Sequence, residues 1–129
     1  MYTLTVRDHF MIAHSLNRPE FGPAQSLHGA TYVVELTVRA RELDANATVM
    51  DLGALAQLLS DVLAELRYRN LDEHPTFEGR LTTTEALARH VAEEAAVRLG
   101  DGAGGRLTGL GVVLRENPDA WAGYSLELP

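Results

Sequence analysis

Apolar and polar positions alternate over residues 2–14: Tyr2, Leu4 and Val6 interleave with Thr3, Thr5 and Arg7, and the pattern resumes at Phe10 and Ile12. A period of two sends successive side chains to opposite faces of a strand. Asp8 falls on the apolar parity, which predicts a bulge or local twist there. Residues 15–29, with Pro19, Gly22, Pro23 and Gly29, read as a loop. Residues 30–41 give the cleanest strand: Tyr32, Val34, Leu36, Val38 and Ala40 on one face, Thr31, Glu35, Thr37, Arg39 and Arg41 on the other.

The period then changes. Asp51 is placed to cap a helix from Leu52 to about Arg67, with Leu52, Leu55, Leu58, Leu59, Val62, Leu63 and Leu66 as its apolar seam. A loop over 70–81 follows. Thr82-Thr83-Thr84-Glu85 fits a capping box, with Thr82 as N-cap and Glu85 three residues on. The helix it opens runs to Leu99 with Leu87, Val91, Ala95 and Leu99 on one stripe, and Gly100 is placed to end it. A glycine-rich turn over 100–105, a strand over 107–116, an Asn117-Pro118-Asp119 turn and a strand over 121–128 complete the chain. The order β-β-α-α-β-β predicts an α+β fold, a four-stranded antiparallel sheet with two helices on one face. The uncovered face and bare edges of such a sheet predict a homo-oligomer, whether trimer, tetramer or hexamer.

Composition removes several chemistries. The chain has 129 residues, 46% apolar and 22% charged, the profile of one ordinary globular domain over residues 1–129. All eleven basic residues are Arg, so Schiff-base and P-loop lysines are excluded. Cysteine is absent, which excludes disulfides, thiolate nucleophiles and Cys-ligated metals. A net charge of 11 − 18 = −7 argues against a nucleic-acid partner. No apolar run approaches the roughly 20 residues that span a bilayer, and the N-terminus has no signal-peptide pattern. The expectation is a cytoplasmic protein without membrane partners.

Several short motifs then fall in one order. Phe10-Met11-Ile12-Ala13-His14 precedes His28-Gly29-Ala30-Thr31-Tyr32; Val49-Met50-Asp51-Leu52, Leu71-Asp72-Glu73, Thr83-Thr84-Glu85-Ala86-Leu87-Ala88 and Arg115-Glu116 follow. Together they resemble the 6-pyruvoyl-tetrahydropterin synthase family, which includes the bacterial 6-carboxytetrahydropterin synthases. The resemblance covers nearly the whole chain and implies the tunnelling fold, whose element order is the one the periodicity gives. It also implies a lyase acting on a small pterin substrate. Glu116 matches the family glutamate that anchors the pterin, and a carboxylate can accept two parallel N–H bonds from an amino group and the adjacent ring N–H. Thr83, Thr84 and Glu85 match the segment beside it.

The family's zinc is held by three histidines. His14 and His28 match two, and the third falls on Ala30. Two imidazoles are short of the three protein ligands of a catalytic zinc, so zinc is the implied cofactor on an incomplete site. His9 is on the wrong strand parity to replace the third ligand unless a bulge intervenes. The family cysteine has no counterpart in Pro23-Ala24-Gln25-Ser26-Leu27. The family's Leu-Asp-His becomes Leu71-Asp72-Glu73, with His74 one residue late, leaving Asp72 to work with either Glu73 or His74 as acid/base. Joint loss of a metal ligand and the thiol points to changed chemistry: elimination, cyclisation or isomerisation of a pterin-like small molecule in a cleft between subunits. The alternatives are an orthodox zinc-dependent synthase that completes its metal site by a substitute, and a binding protein without turnover.

Overall fold

The computed structural model describes residues 1–101 and 103–129. Strand β1 (Tyr2–His14) turns back through a short helical segment, Pro19–Gln25, into β2 (His28–Ala40). Helix α1 (Leu52–Ala64), the two-residue strand β3 (Arg69–Asn70) and helix α2 (Thr84–Leu99) follow, and β4 (Leu107–Asn117) and β5 (Ala120–Glu127) close the chain. The sheet order is β3-β1-β2-β4-β5, antiparallel throughout except that β3 runs parallel to β1. The architecture is the expected α+β one with five strands instead of four. The extra strand lies in a stretch too short to show any periodicity.

Helix α1 packs on β1 and α2 across β4 and β5, both on the same side of the sheet. The core-facing parity of β2 is closed to solvent from Tyr32 to Ala40, as are Leu110, Val112 and Leu114 of β4. Leu55, Leu59, Val62 and Leu63 of α1 and Leu87, Val91 and Ala95 of α2 meet them, each buried leucine or valine contributing about 1.5–3 kcal/mol of transfer free energy. Leu52, assigned above to the apolar seam, is instead 59% exposed, and the buried side of α1 begins at Leu55. Helix α1 is also shorter than expected, ending at Ala64.

The bulge expected at Asp8 does not form. The β1–β2 register runs unbroken from Tyr2↔Ala40 to His14↔His28, with Asp8 opposite Val34. Arg67, beyond the end of α1, meets Asp8 Oδ2 at 2.7 Å and satisfies the carboxylate where it stands. With no bulge, strand parity holds, and His9 points to the open face, away from His14. Gly100 ends α2 with φ +51°, a conformation that favours glycine. No helix among the described residues is long and apolar enough to cross a membrane.

Candidate functional site

The end of β1 and the start of β2 place His14 directly opposite His28. The two rings stand edge to face with centroids 4.6 Å apart. His28 donates from Nδ1 to the Ser26 carbonyl at 2.8 Å, and His14 Nδ1 lies 2.9 Å from the Thr82 hydroxyl. His14 is buried, and desolvation holds its pKa below the ordinary value; neighbouring His28 lowers it further, against the opposing effects of Thr82, Asp72 and Glu116.

Three successive threonines organise the other wall. Thr83, not Thr82, is the N-cap of α2, accepting from the Ala86 N–H at 3.2 Å. The cap expected at Thr82 therefore sits one residue later, and Thr82 turns inward, 3% exposed, to His14. Thr84, also buried, donates its hydroxyl to Glu116 Oε1. Glu85, in the first turn of α2, is exposed at the rim. The β4–β5 register slips between Arg115 and Asn117, which leaves Glu116 out of the ladder. A bulge of this kind re-aims a side chain. Here it directs the carboxylate toward the first turn of α2, where the helix dipole favours negative charge.

These groups surround one cavity of about 620 Å³, which His14, His28, Ala30, Thr84, Glu85 and Glu116 share. Tyr32 lies on its floor, its phenol pushed above the usual range chiefly by burial, and Thr83 is also on its wall. The structure thus brings together the histidines and all four residues assigned above to ligand binding. It does not bring Asp72, Glu73 and His74 to that cavity. Asp72 accepts from Ser15 N at 3.1 Å and Ser15 Oγ at 2.6 Å, bordering a separate hollow on the other side of the 14–18 segment. Glu73 is exposed. His74 is buried and engaged through both nitrogens: Nδ1 accepts from Thr76 N at 3.2 Å, and Nε2 donates to the Glu65 carbonyl at 3.1 Å.

The residues do not fit a three-histidine metal site. Ala30, two positions after His28 on the same strand face, lines the cavity where a third imidazole would stand. Among the described residues, no three His, Cys, Asp or Glu side chains gather as a metal ligand set. Thr82 and Tyr32 are the site residues the sequence alone does not single out. Thr82 is hidden by its resemblance to an N-cap, and Tyr32 by its place on an apolar strand face.

The element order and the sheet topology define the class of fold to which the chain is compared. The family model described as 6-pyruvoyl tetrahydropterin synthase matches residues 3–127, and the chain belongs to that family. It is 28% identical over 120 residues to a 6-carboxy-5,6,7,8-tetrahydropterin synthase of Bacillus subtilis, covering 90% of this chain and 80% of the relative. It is also 28% identical over 109 residues to a 6-pyruvoyl tetrahydrobiopterin synthase of Drosophila melanogaster, covering 74% of this chain and 65% of that protein. Among solved structures, the 6-pyruvoyl tetrahydropterin synthase of Caenorhabditis elegans superimposes with a TM-score of 0.81 at 26% identity, over 95% of this chain and 94% of that one.

Proposed function

We propose that this chain binds a flat, pterin-like heterocycle through Glu116 and carries out metal-independent proton-transfer chemistry on it, in a cleft completed by a second copy of the chain. The observation that carries the reading is the shared cavity: a carboxylate oriented by Thr84 faces the same space as the His14–His28 pair, with Ala30 in place of a third imidazole. A carboxylate fixed in this way favours a ring edge with adjacent amino and N–H donors, since both its oxygens can then be satisfied in one plane. Glu85 and the first turn of α2 border the same opening, which suits a ligand that donates rather than accepts.

Asp72 and Glu73 serve in this reading as acid/base groups presented to the cavity of a neighbouring copy. Glu73 is the free group of the two candidates beside Asp72, because both ring nitrogens of His74 are already engaged. The exposed edge of β5 and the uncovered sheet face supply surfaces for the association. Oligomer size and a cytoplasmic location belong to the same proposal.

A second reading, an orthodox zinc-dependent synthase, has the juxtaposed imidazoles in its favour. One experiment separates them: incubate metal-free protein with dihydroneopterin triphosphate, with and without one equivalent of zinc, and analyse the products by mass spectrometry. Turnover without metal supports the proposal; turnover that appears only with zinc overturns it. Tight binding without product leaves the protein as a pterin carrier and also overturns the catalytic part.

A further inference from the structure

We infer that the open face of the sheet carries a seat for a phosphate-class oxyanion, built by Arg39, Thr37 and Ser125 around the bare backbone of Gly111. The seat is on the side of the sheet away from the helices, toward the ends of the strands opposite to His14, His28 and Glu116. It is therefore separate from the ligand site proposed above.

Strand register brings the pieces together. Gly111 of β4 stands between Thr37 of β2 and Ser125 of β5, and Arg39 is paired with neighbouring Gly109. The half-buried side chain of Arg39 lies across β4: a Cβ built on Gly109 would collide with its guanidinium and would come within 3.1 Å of the Leu126 carbonyl. Only glycine leaves room for that crossing. A Cβ built on Gly111 would instead meet Arg39 Nη1 at 3.8 Å and Ser125 Cβ at 3.5 Å, so the guanidinium and the serine side chain converge over bare backbone. From the β2 side, Thr37 shares a 2.7 Å hydrogen bond with the hydroxyl of Thr5. Of two hydroxyls joined by one such bond, one donates and the other keeps a free proton.

Charge sets Arg39 apart from its neighbours. On the same face Arg7 and Arg115 are both held by Glu35. Among the described residues, Arg39 forms no ion pair and its guanidinium no hydrogen bond. Glu127, opposite Gly109, is exposed and does not pair with it. A guanidinium offers a planar fork of N–H donors that matches two oxygens of an oxyanion. The fork alone would satisfy a flat carboxylate. Hydroxyls to either side of Gly111 add donors from other directions, which suits the tetrahedral oxygens of phosphate.

Equilibrium dialysis of the full chain against radiolabelled inorganic phosphate, at neutral pH and low salt, tests the seat without pterin. Expected is one saturable site per chain, displaced by sulfate and not by acetate. Arg39→Gln should weaken binding by about tenfold or more through loss of charge-assisted bonds. Gly111→Ala keeps the charge and meets only ordinary van der Waals distances in the fold, yet puts a methyl group into the seat, so it should weaken binding to a similar degree. Absent or non-saturable binding, equal displacement by acetate, or wild-type affinity in either variant overturns the inference. So does loss of assembly mass in Arg39→Gln, by light scattering, with no phosphate bound to the wild type; a carboxylate of a second copy would then be the partner of Arg39. Gly111→Ala decides the matter if Arg39→Gln fails to fold. Failure of pterin to bind would remove the reading of Glu116 and leave this seat untouched.

Discussion

Thr84 donates to the carboxylate of Glu116 across 32 residues of sequence, joining the first turn of α2 to a bulge at the end of β4. This bond holds the Glu116 carboxylate at the wall of the cavity it shares with His14 and His28. Thr84→Val removes the donor and keeps the β-branched shape. Its expected effect is about tenfold weaker binding of a dihydropterin, in keeping with a hydrogen bond to a charged group worth about 1.5–3 kcal/mol. Fluorescence titration measures it, and Glu116→Ala should abolish binding altogether while the thermal transition stays in place. An unchanged Kd in Glu116→Ala would remove the carboxylate from the ligand site.

Ala30→His returns an imidazole to the strand face that carries His28, beside the cavity wall. With three nitrogens converging, zinc affinity should rise by about tenfold or more over the wild type, since affinity follows ligand number and geometry. Metal content after dialysis against zinc, measured by atomic emission, checks this. Equal zinc content in the two proteins would show that residue 30 is not the missing ligand position.

His90 of α2 is half-buried, its ring edge-on to Phe77, which also stacks against His74. Burial lowers its pKa below 6.5, His74 and Arg80 push in the same direction, and Glu94 and Glu93 oppose them. The unfolded chain therefore binds a proton at position 90 before the folded one does. Above pH 6.5 this group leaves stability unchanged; as the pH falls through 6.5 toward the lowered folded value, stability is lost. Urea midpoints taken from pH 7.5 to 5.5 should fall less steeply in His90→Gln than in the wild type. Parallel curves would contradict the assignment.

Arg67 compensates Asp8, whose side chain is only 25% exposed on the core-facing parity of β1. Arg67→Ala should destabilise the fold by about 1–2 kcal/mol, between the values for exposed and fully buried pairs. In Asp8→Val, which suits the strand parity, the loss should be smaller than in Arg67→Ala. Chemical denaturation of the two variants decides it, and a larger loss in Asp8→Val would reverse the account.

The alternation of β2 and β4 and the stripe of α2 were legible because burial on one face imposes a period that survives any tertiary detail. Asp8 misled the reading of β1, because the sequence does not show that a guanidinium 59 residues away arrives to meet it. Strand β3 was invisible for a different reason: two residues hold no period. At the site, Glu116 was marked by the resemblance alone, and the bulge that turns its carboxylate to Thr84 leaves no trace in the period of the strand. The threonines were not, since a hydroxyl before a helix reads as a cap, and only the fold reveals that Thr83 caps while its neighbours bond elsewhere. Asp72 illustrates a third limit, a motif residue whose partner in its own chain is Ser15.

Residues 82, 83 and 84 each commit a side chain to a different element: the end of β1, the start of α2 and the end of β4. Deleting or inserting one residue just ahead of them would misdirect all three commitments together. Chemistry at this junction can therefore diversify by swapping side chains but not by changing loop length.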